Sequence, residues 1–377
     1  MSRAHAVMLG DVIRQLRESL GWSQSRLATE LCAVDDHETV TREIISRWET
    51  GKRVPGSWWL RHLATVLQVP FEILEQARVD RRGFITEVLG VSIAPLVASD
   101  LIEHGFAAAL DGGYPSVDDW GQAVDTYGRD YMTSGAGEIQ KRLAADLIVL
   151  QRQLDTPRLW AVAATLATLY GKTFPGSNGA KALTWHRHAA TFADRSGDKN
   201  TRVWVRGRAA IALGYEGASL PAAELLAEQA IALDERPSLG RLGAVMGKAH
   251  VAALRGDSRT AMVLLDEGRR VFDAAGSDEA ESDYAVPWWR FNVFISLMAA
   301  RLGAEHVALQ AQDEAARALP ESLPRFRTHL ELHRGLMLAR AGDREGGTAY
   351  ARAALDALPV NKHSLTLRML MAEIERS

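Results

Sequence analysis

From about residue 140 onward, signals that end a helix recur every 15–20 residues. They are Gly197-Asp198, Gly217, Pro237, Gly256-Asp257, Gly276, Gly303, Pro320, Gly342-Asp343 and Pro359. The segments between these signals have helical character. Taken in pairs, they give five units, at 158–197, 201–237, 240–276, 286–320 and 325–359. A period of about 35–40 residues built from paired helices is typical of an α-solenoid, so the sequence predicts an all-α fold over 136–377.

The last unit carries the clearest pattern, with small residues where two helices must approach closely and a proline at its end. These residues are Gly335, Gly347, Ala354 and Pro359. On this pattern the units resemble degenerate tetratricopeptide repeats. A final helix from Ser364 to Glu375 offers apolar residues for burial, and we expect it to cap the stack.

A separate unit is predicted over residues 1–78. Apolar residues at helical spacing indicate a first helix that Gly21 ends, and Ser23 is suited to cap a second. The polar stretch 33–40 reads as a loop. Thr41 then caps a third helix that Gly51 ends, a fourth starts at Ser57, and a short fifth follows from residue 70.

The third helix has the composition of a DNA recognition helix, because one side is apolar and the other carries hydrogen-bonding side chains. Residues 40–62 hold five Lys or Arg side chains against two Glu, a local excess of three positive charges in a chain whose net charge is −3. Arg42 and Arg47 are the best candidates for guanine or phosphate contacts. The candidate DNA contacts on and beside this helix are Thr41, Arg42, Glu43, Ser46, Arg47, Lys52 and Arg53. The alternative is that these are solvated charges on a domain that binds protein.

The segments "LGWSQSRLATEL", "ISRWETGKRVP" and "LATVLQVPFEIL" together resemble the five-helix Cro/repressor-like helix-turn-helix domains of the Xre type. The resemblance covers about 65 residues; its one departure is the longer turn at 33–40. It implies that Gln24 contacts phosphate near the recognition helix. Followed by repeats, this domain is similar in layout to RRNPP-family regulators and to actinobacterial Xre-type regulators. Both imply a ligand-responsive transcription factor, which we expect to bind an inverted-repeat operator in double-stranded DNA as a homodimer.

Residues 79–135 read as a transitional region with helical character. Its apolar stretch is compatible with a linker helix, with a dimer contact, or with packing under the repeats.

The first helices of the repeat pairs carry aromatic and arginine side chains suited to a concave surface that captures a peptide or small molecule. The candidate ligand contacts are Trp204, Arg208, Trp289, Arg290, Asn292 and His329. Packing is the alternative interpretation of the tryptophans, and solvation that of the arginines. A second hypothesis makes the repeats a scaffold for a partner protein, without a small effector.

Other classes of function have little support. No apolar run is long enough to cross a membrane, no leader pattern is evident, and there is one cysteine, so we expect a cytoplasmic protein. Gly171-Lys172-Thr173 lacks the remainder of a phosphate-binding loop, and His329 with His333 lacks a third metal ligand. We therefore expect no enzymatic activity, no cofactor and no metal.

Overall fold

The computed structural model describes residues 3–35, 40–67, 69, 71, 74, 115–134, 136–174, 179–217, 219–276, 279–359 and 362–377. Within these ranges there are seventeen α-helices and no strand, which confirms the predicted all-α fold. None of the helices described is long and apolar enough to cross a membrane.

Four helices form the described part of the N-terminal unit: α1 (Arg3–Ser19), α2 (Gln24–Asp35), α3 (Arg42–Glu49) and α4 (Ser57–Leu67). Gly21 and Gly51 both adopt a φ of 67°, the left-handed conformation that ends a helix, as the sequence predicts. The Oγ of Ser23 accepts a hydrogen bond from the backbone N–H of Arg26, which confirms its capping role.

One predicted boundary is wrong. The loop expected from residue 33 begins later, because α2 continues to Asp35. Its last residues include no glycine or proline that would stop the helix. The predicted fifth helix and most of the transitional region lie outside the described residues.

The five predicted helix pairs are present. They are α7 (Pro157–Lys172) with α8 (Gly179–Ser196), α9 (Lys199–Glu216) with α10 (Leu220–Leu233), α11 (Leu239–Leu254) with α12 (Ser258–Ala275), α13 (Trp288–Leu302) with α14 (Glu305–Ala318), and α15 (Pro324–Arg340) with α16 (Arg344–Asp356). Helices α5 (Val117–Thr133) and α6 (Ala136–Leu150) precede them, and α17 (Leu365–Arg376) follows. Successive first helices, from α7 to α15, pack side by side, which is the arrangement of a solenoid.

Glycines set the closest approaches between the helices. A Cβ added at Gly335 would lie 2.8 Å from the carbonyl oxygen of Gly347 on the partner helix, so small residues are required there as predicted. Among the glycines that the structure describes, Gly207 has the least room: a Cβ there would lie 1.8 Å from the carbonyl oxygen of Gly240, where α9 meets α11. Backbone cannot yield as a flexible side chain can, so α9 and α11 must separate to accept a methyl group.

We therefore expect Gly207→Ala to lower the free energy of unfolding by about 2–3 kcal/mol, the cost of overpacking a rigid contact. Gly121→Ala is the matched control, because Gly121 is an exposed helical residue whose added Cβ would meet no atom within 4 Å. The control should gain about 0.5–1 kcal/mol from the better helix propensity of alanine. Urea denaturation of both variants measures the difference, and equal stability would contradict the close packing.

The stack curves back so that α5 reaches elements far along the chain. Met132 of α5 shares an apolar cluster with Trp289 and Leu323. The Arg325 guanidinium donates a hydrogen bond to the carbonyl oxygen of Tyr131 (2.9 Å), and the backbone N–H of Asp283 donates one to the carbonyl oxygen of Gly128 (2.8 Å). These contacts enclose an interior bounded by α5 and by the first helices of the repeats.

The last helix packs on α15 and α16, as expected of a cap, and also reaches across the interior. The Thr366 hydroxyl donates to the Glu216 carboxylate on α9 (3.0 Å). The Arg301 guanidinium binds the Glu373 carboxylate at 2.9 Å. The end of the stack is therefore tied to its middle.

The N-terminal unit is joined to the first repeat through apolar packing. Helix α1 packs on α8, and Leu183 of α8 belongs to the same core cluster as Leu9, Ile13 and Leu16 of α1. A change in the position of α8 would therefore displace α1 or disrupt its packing, and so affect the N-terminal unit.

Candidate functional site

Helix α3 has two chemically distinct faces. Ile45 and Trp48 are fully buried, and Trp48 packs against Trp59 of α4 with ring centroids 5.7 Å apart. Arg42 and Arg47 are exposed on the opposite side. The buried face fixes the helix in the domain. The opposite face is exposed, and an α-helix is of the right width to enter the major groove of DNA.

A buried ion pair holds the end of α3. The Nε of Arg17 on α1 donates to the Glu49 carboxylate at 2.6 Å, and its second terminal nitrogen donates to the other oxygen at 3.0 Å. The Gln24 amide donates to the same carboxylate at 2.8 Å, and Arg17 also donates to the carbonyl oxygen of Trp22. Helices α1, α2 and α3 are thereby fixed relative to one another through one carboxylate that is only 2% exposed.

The exposed charge on this side is strongly positive. Glu49 does not contribute to it, because Arg17 neutralises it inside the domain. Of the two glutamates in residues 40–62, only Glu43 is exposed, whereas all five lysine and arginine side chains of this segment are exposed. Hydrogen bonds from its own N–H and from Thr41, with smaller contributions from Arg42 and Arg47, lower the pKa of Glu43, so it is ionised. Such a face suits the phosphate backbone of a duplex.

Residues 8–76 match the family model described as the helix-turn-helix domain. This is a helix-turn-helix DNA-binding domain. The match covers most of α1 and all of α2, α3 and α4, and it does not extend into the repeats. No curated protein and no solved structure is significantly similar to the chain.

Most of the candidate DNA contacts lie together on the exposed side of the helix-turn-helix domain. Thr41, Arg42, Glu43, Arg47, Lys52 and Arg53 are exposed, and Ser46 is half-buried. Thr41 precedes α3 as its N-cap residue, although its side chain makes no capping hydrogen bond. Gln24 is half-buried, and the hydrogen bond to Glu49 uses one N–H of its amide, which leaves the other for an outside acceptor.

Two of the candidate ligand contacts meet at a carboxylate inside the repeat domain. The terminal nitrogens of Arg208 and Arg290 lie 2.7 Å and 2.6 Å from the same oxygen of Asp283. The Nζ of Lys172 lies 2.5 Å from both oxygens. We call these four residues the Asp283 cluster. Trp204 is one turn before Arg208 on α9, half-buried, and its ring packs against Tyr284.

The other candidates are placed apart from this cluster. Trp289 is 2% exposed and packs against Phe326, so packing accounts for its position. The Asn292 amide donates to the carbonyl oxygen of Trp288, and Asn292 lines a groove beside α14. His329 is buried and hydrogen-bonds the Tyr215 hydroxyl, as does His333. Among the described residues, no group of three His, Cys, Asp or Glu could hold a metal ion.

Sequence reasoning missed the acidic members of both sites. Asp283 lies in the irregular segment between α12 and α13, where no helical spacing assigns it a face. Its contact with Lys172 joins residues 111 positions apart. Glu49 follows Trp48 in a charged, polar stretch and reads as a surface residue. Asp283 and Glu49 are recognised as internal only when the structure shows each of them paired with a cation far away in the sequence.

Proposed function

We propose that this protein is a sequence-specific, DNA-binding transcriptional regulator whose repeat domain senses a small ligand or peptide. The observation that carries the proposal is the exposed face of α3, where Arg42 and Arg47 have no ion-pair partner in the described part of the chain. Arginine binds the O6 and N7 edge of guanine with two parallel hydrogen bonds, and α3 is narrow enough to enter the major groove.

In the proposed complex, α3 lies in the major groove. Arg42 and Arg47 read base edges, with Glu43 orienting them or accepting from cytosine. Lys52 and Arg53, just beyond the helix, neutralise phosphates and fix the register. The buried Arg17–Glu49 pair keeps α3 at a constant angle to α1 and α2. In this proposal the internal charges position α3, and the exposed charges contact the DNA.

Regulation is proposed to act through the repeat domain. A homodimer presents two helix-turn-helix domains to half-sites about one helical turn, roughly 34 Å, apart. A ligand changes DNA binding if it favours one relative placement of these domains over another. The packing of α1 on α8 offers a direct route for such a change.

The alternative, a DNA-addressed scaffold, makes the repeats a docking surface without an effector. It expects an open apolar patch on the repeats. The Asp283 cluster supports the sensing function instead, because convergent charged side chains inside the repeat domain suit a small charged ligand and not an exposed docking surface.

The test is selection of bound fragments from genomic DNA by the purified full-length protein at physiological salt, followed by sequencing. We expect enrichment of an inverted repeat whose half-site centres are about 10 base pairs apart. Light scattering on the same sample should give twice the monomer mass. Absence of any enriched sequence would contradict sequence-specific binding, and a monomer at DNA-binding concentrations would contradict the dimer.

A further inference from the structure

We propose that the Asp283 cluster is the binding site of a small organic anion whose carboxylate or phosphate group is bound by Lys172 and Arg208. The inference rests on the proposed sensing function and names the chemistry of its ligand. Three observations support it: the excess of positive charge around the cluster, the partial solvent exposure of Lys172 and Arg208, and the aromatic side chains beside them.

The interior holds more positive charge than its carboxylates neutralise. Lys172, Arg208 and Arg290 share one carboxylate. Arg325, whose guanidinium carbon lies 5.7 Å from the ring centroid of Tyr131, adds a fourth cation, and Glu216 adds the second carboxylate. Among the residues that the structure describes around this interior, four cationic side chains face two carboxylates, an excess of two positive charges when Lys172 is protonated. Nearby, Arg301 is already paired with Glu373.

One ion pair would suffice for a structural role. Arg290 binds Asp283 and also donates to the carbonyl oxygens of Ser282, Asp283 and Ala285, so it holds this segment in place by itself. Adding Lys172 and Arg208 to the same carboxylate brings like charges together away from bulk water, which is unfavourable. Burial and the neighbouring arginines accordingly lower the pKa of Lys172 well below its usual value. A second anion would relieve this repulsion.

Glu216 is the second carboxylate near the cluster, and its negative charge would oppose a bound anion. Burial raises its pKa to about 7, and it accepts a hydrogen bond from Thr366. A substantial share of Glu216 is therefore uncharged near neutral pH. In that state the excess of positive charge around Lys172 and Arg208 is larger still.

The cluster has an inaccessible side and a side that solvent reaches. The side chains of Asp283 and Arg290 are 1% and 4% exposed, whereas those of Lys172 and Arg208 are 8% and 11% exposed. The Nε atom of Arg208 is buried without a hydrogen-bond partner among the described residues, as is that of Arg290. Lys172 and Arg208 are thus the two more accessible cations of the cluster, and Arg208 has a donor nitrogen without a partner that an oxyanion would satisfy.

Aromatic side chains stand beside these cations. The Nζ of Lys172 lies 4.2 Å from the ring centroid of Tyr131, and Trp204 packs on Tyr284 with centroids 5.5 Å apart. Tyr131 and Trp204 are half-buried, so their rings retain surface for contact. Apolar walls with a few convergent charged groups are typical of a site for a small organic molecule.

The site adjoins α8, the repeat helix on which the helix-turn-helix domain packs. Gly171, next to Lys172, packs against the His186 ring on α8 so closely that an added Cβ would lie 3.0 Å from it. Burial, with Lys172 and Arg208, lowers the pKa of His186 to about 3, so this contact is with a neutral ring. The same helix packs on α1 through Leu183. Movement of Lys172 on binding an anion would press on α8 and hence on α1.

The test measures thermal unfolding of the full-length protein at constant ionic strength with about 5 mM of a probe, too little for general salt effects. Inorganic phosphate and phenyl phosphate form one arm, acetate and benzoate the other, and benzamide is the uncharged control. We expect at least one arm to raise the melting temperature by roughly 2–4 °C, as for a ligand in about 50-fold excess over its Kd, with no shift from benzamide. The responding arm identifies the anion as phosphate or carboxylate.

Arg208→Gln should abolish the shift, whereas Arg317→Gln, which alters an exposed arginine paired with Glu314, should retain it. If Arg208→Gln does not fold, Arg208→Lys keeps a charge beside Asp283 but loses the forked geometry, and its shift should fall below half. A shift from no anion, or an equal shift in parent and Arg208 variants, would overturn the site. Because this assay contains no DNA, its failure leaves fragment selection unaffected, and failure of selection leaves this assay unaffected.

Discussion

Replacing both Arg42 and Arg47 by alanine should nearly abolish recognition of the selected operator. Each bidentate arginine–guanine contact is worth about 1–3 kcal/mol, so the pair should cost about 2–6 kcal/mol, roughly 30-fold to 10⁴-fold in Kd. The fold should survive, because both side chains are exposed and the apolar face of α3 is untouched. Fluorescence anisotropy with a labelled operator at fixed salt measures the loss.

The matched control for that variant is Arg14→Ala. Arg14 is an exposed arginine of the same domain, located on α1 and paired with Asp11. It should bind the operator as the parent does. If the double variant bound equally well, α3 would not be the recognition helix, and the exposed charges would belong to another kind of interface.

The second large effect concerns the ion pair beneath the recognition helix. Arg17→Met leaves Glu49 buried at 2% exposure without its cation, which should destabilise the helix-turn-helix domain by about 3–5 kcal/mol. Because Glu49 ends α3, operator affinity should fall with stability although Arg17 itself does not face the DNA. Hydrogen exchange of the α3 amides, compared with those of α11 in the same sample, localises the loss.

A double variant separates the cost of an unpaired charge from the value of the pair. Arg17→Met with Glu49→Leu removes both charges and should recover most of the stability, since apolar side chains of similar volume often replace a buried ion pair without loss. Arg26→Met is the control, because Arg26 forms an exposed pair with Glu30 on α2. A change in α3 exchange of under about 1 kcal/mol in Arg17→Met would mean that the pair does not hold the recognition helix.

The sequence predicts local features of this fold well because their causes are local. Gly21 and Gly51 end helices through their own left-handed conformation, and Ser23 caps α2 through a hydrogen bond three residues away. The five helix pairs follow from recurring turn signals and from small residues at crossings. The predicted end of α2 is wrong because polarity alone does not stop a helix, and no glycine or proline interrupts this one before Asp35.

The internal charges could not be predicted in the same way. Glu49 becomes internal because a helix 32 residues away supplies Arg17. The sequence indicates Arg208 and Arg290 as separate candidates, but it does not indicate their common partner Asp283, which lies in a segment without helical periodicity. Which charges meet depends on how the stack curves back on α5. That curvature results from the packing angles of many successive helices, so no single sequence motif predicts it.

We propose that α3 reads base edges in the major groove of the operator. Methylation interference on the selected operator tests this directly, because dimethyl sulfate modifies guanine N7 in the major groove and adenine N3 in the minor groove. We expect interference from guanine N7 methylation in two patches about one helical turn apart. Interference confined to adenine N3, or none in either groove, would contradict major-groove recognition by α3.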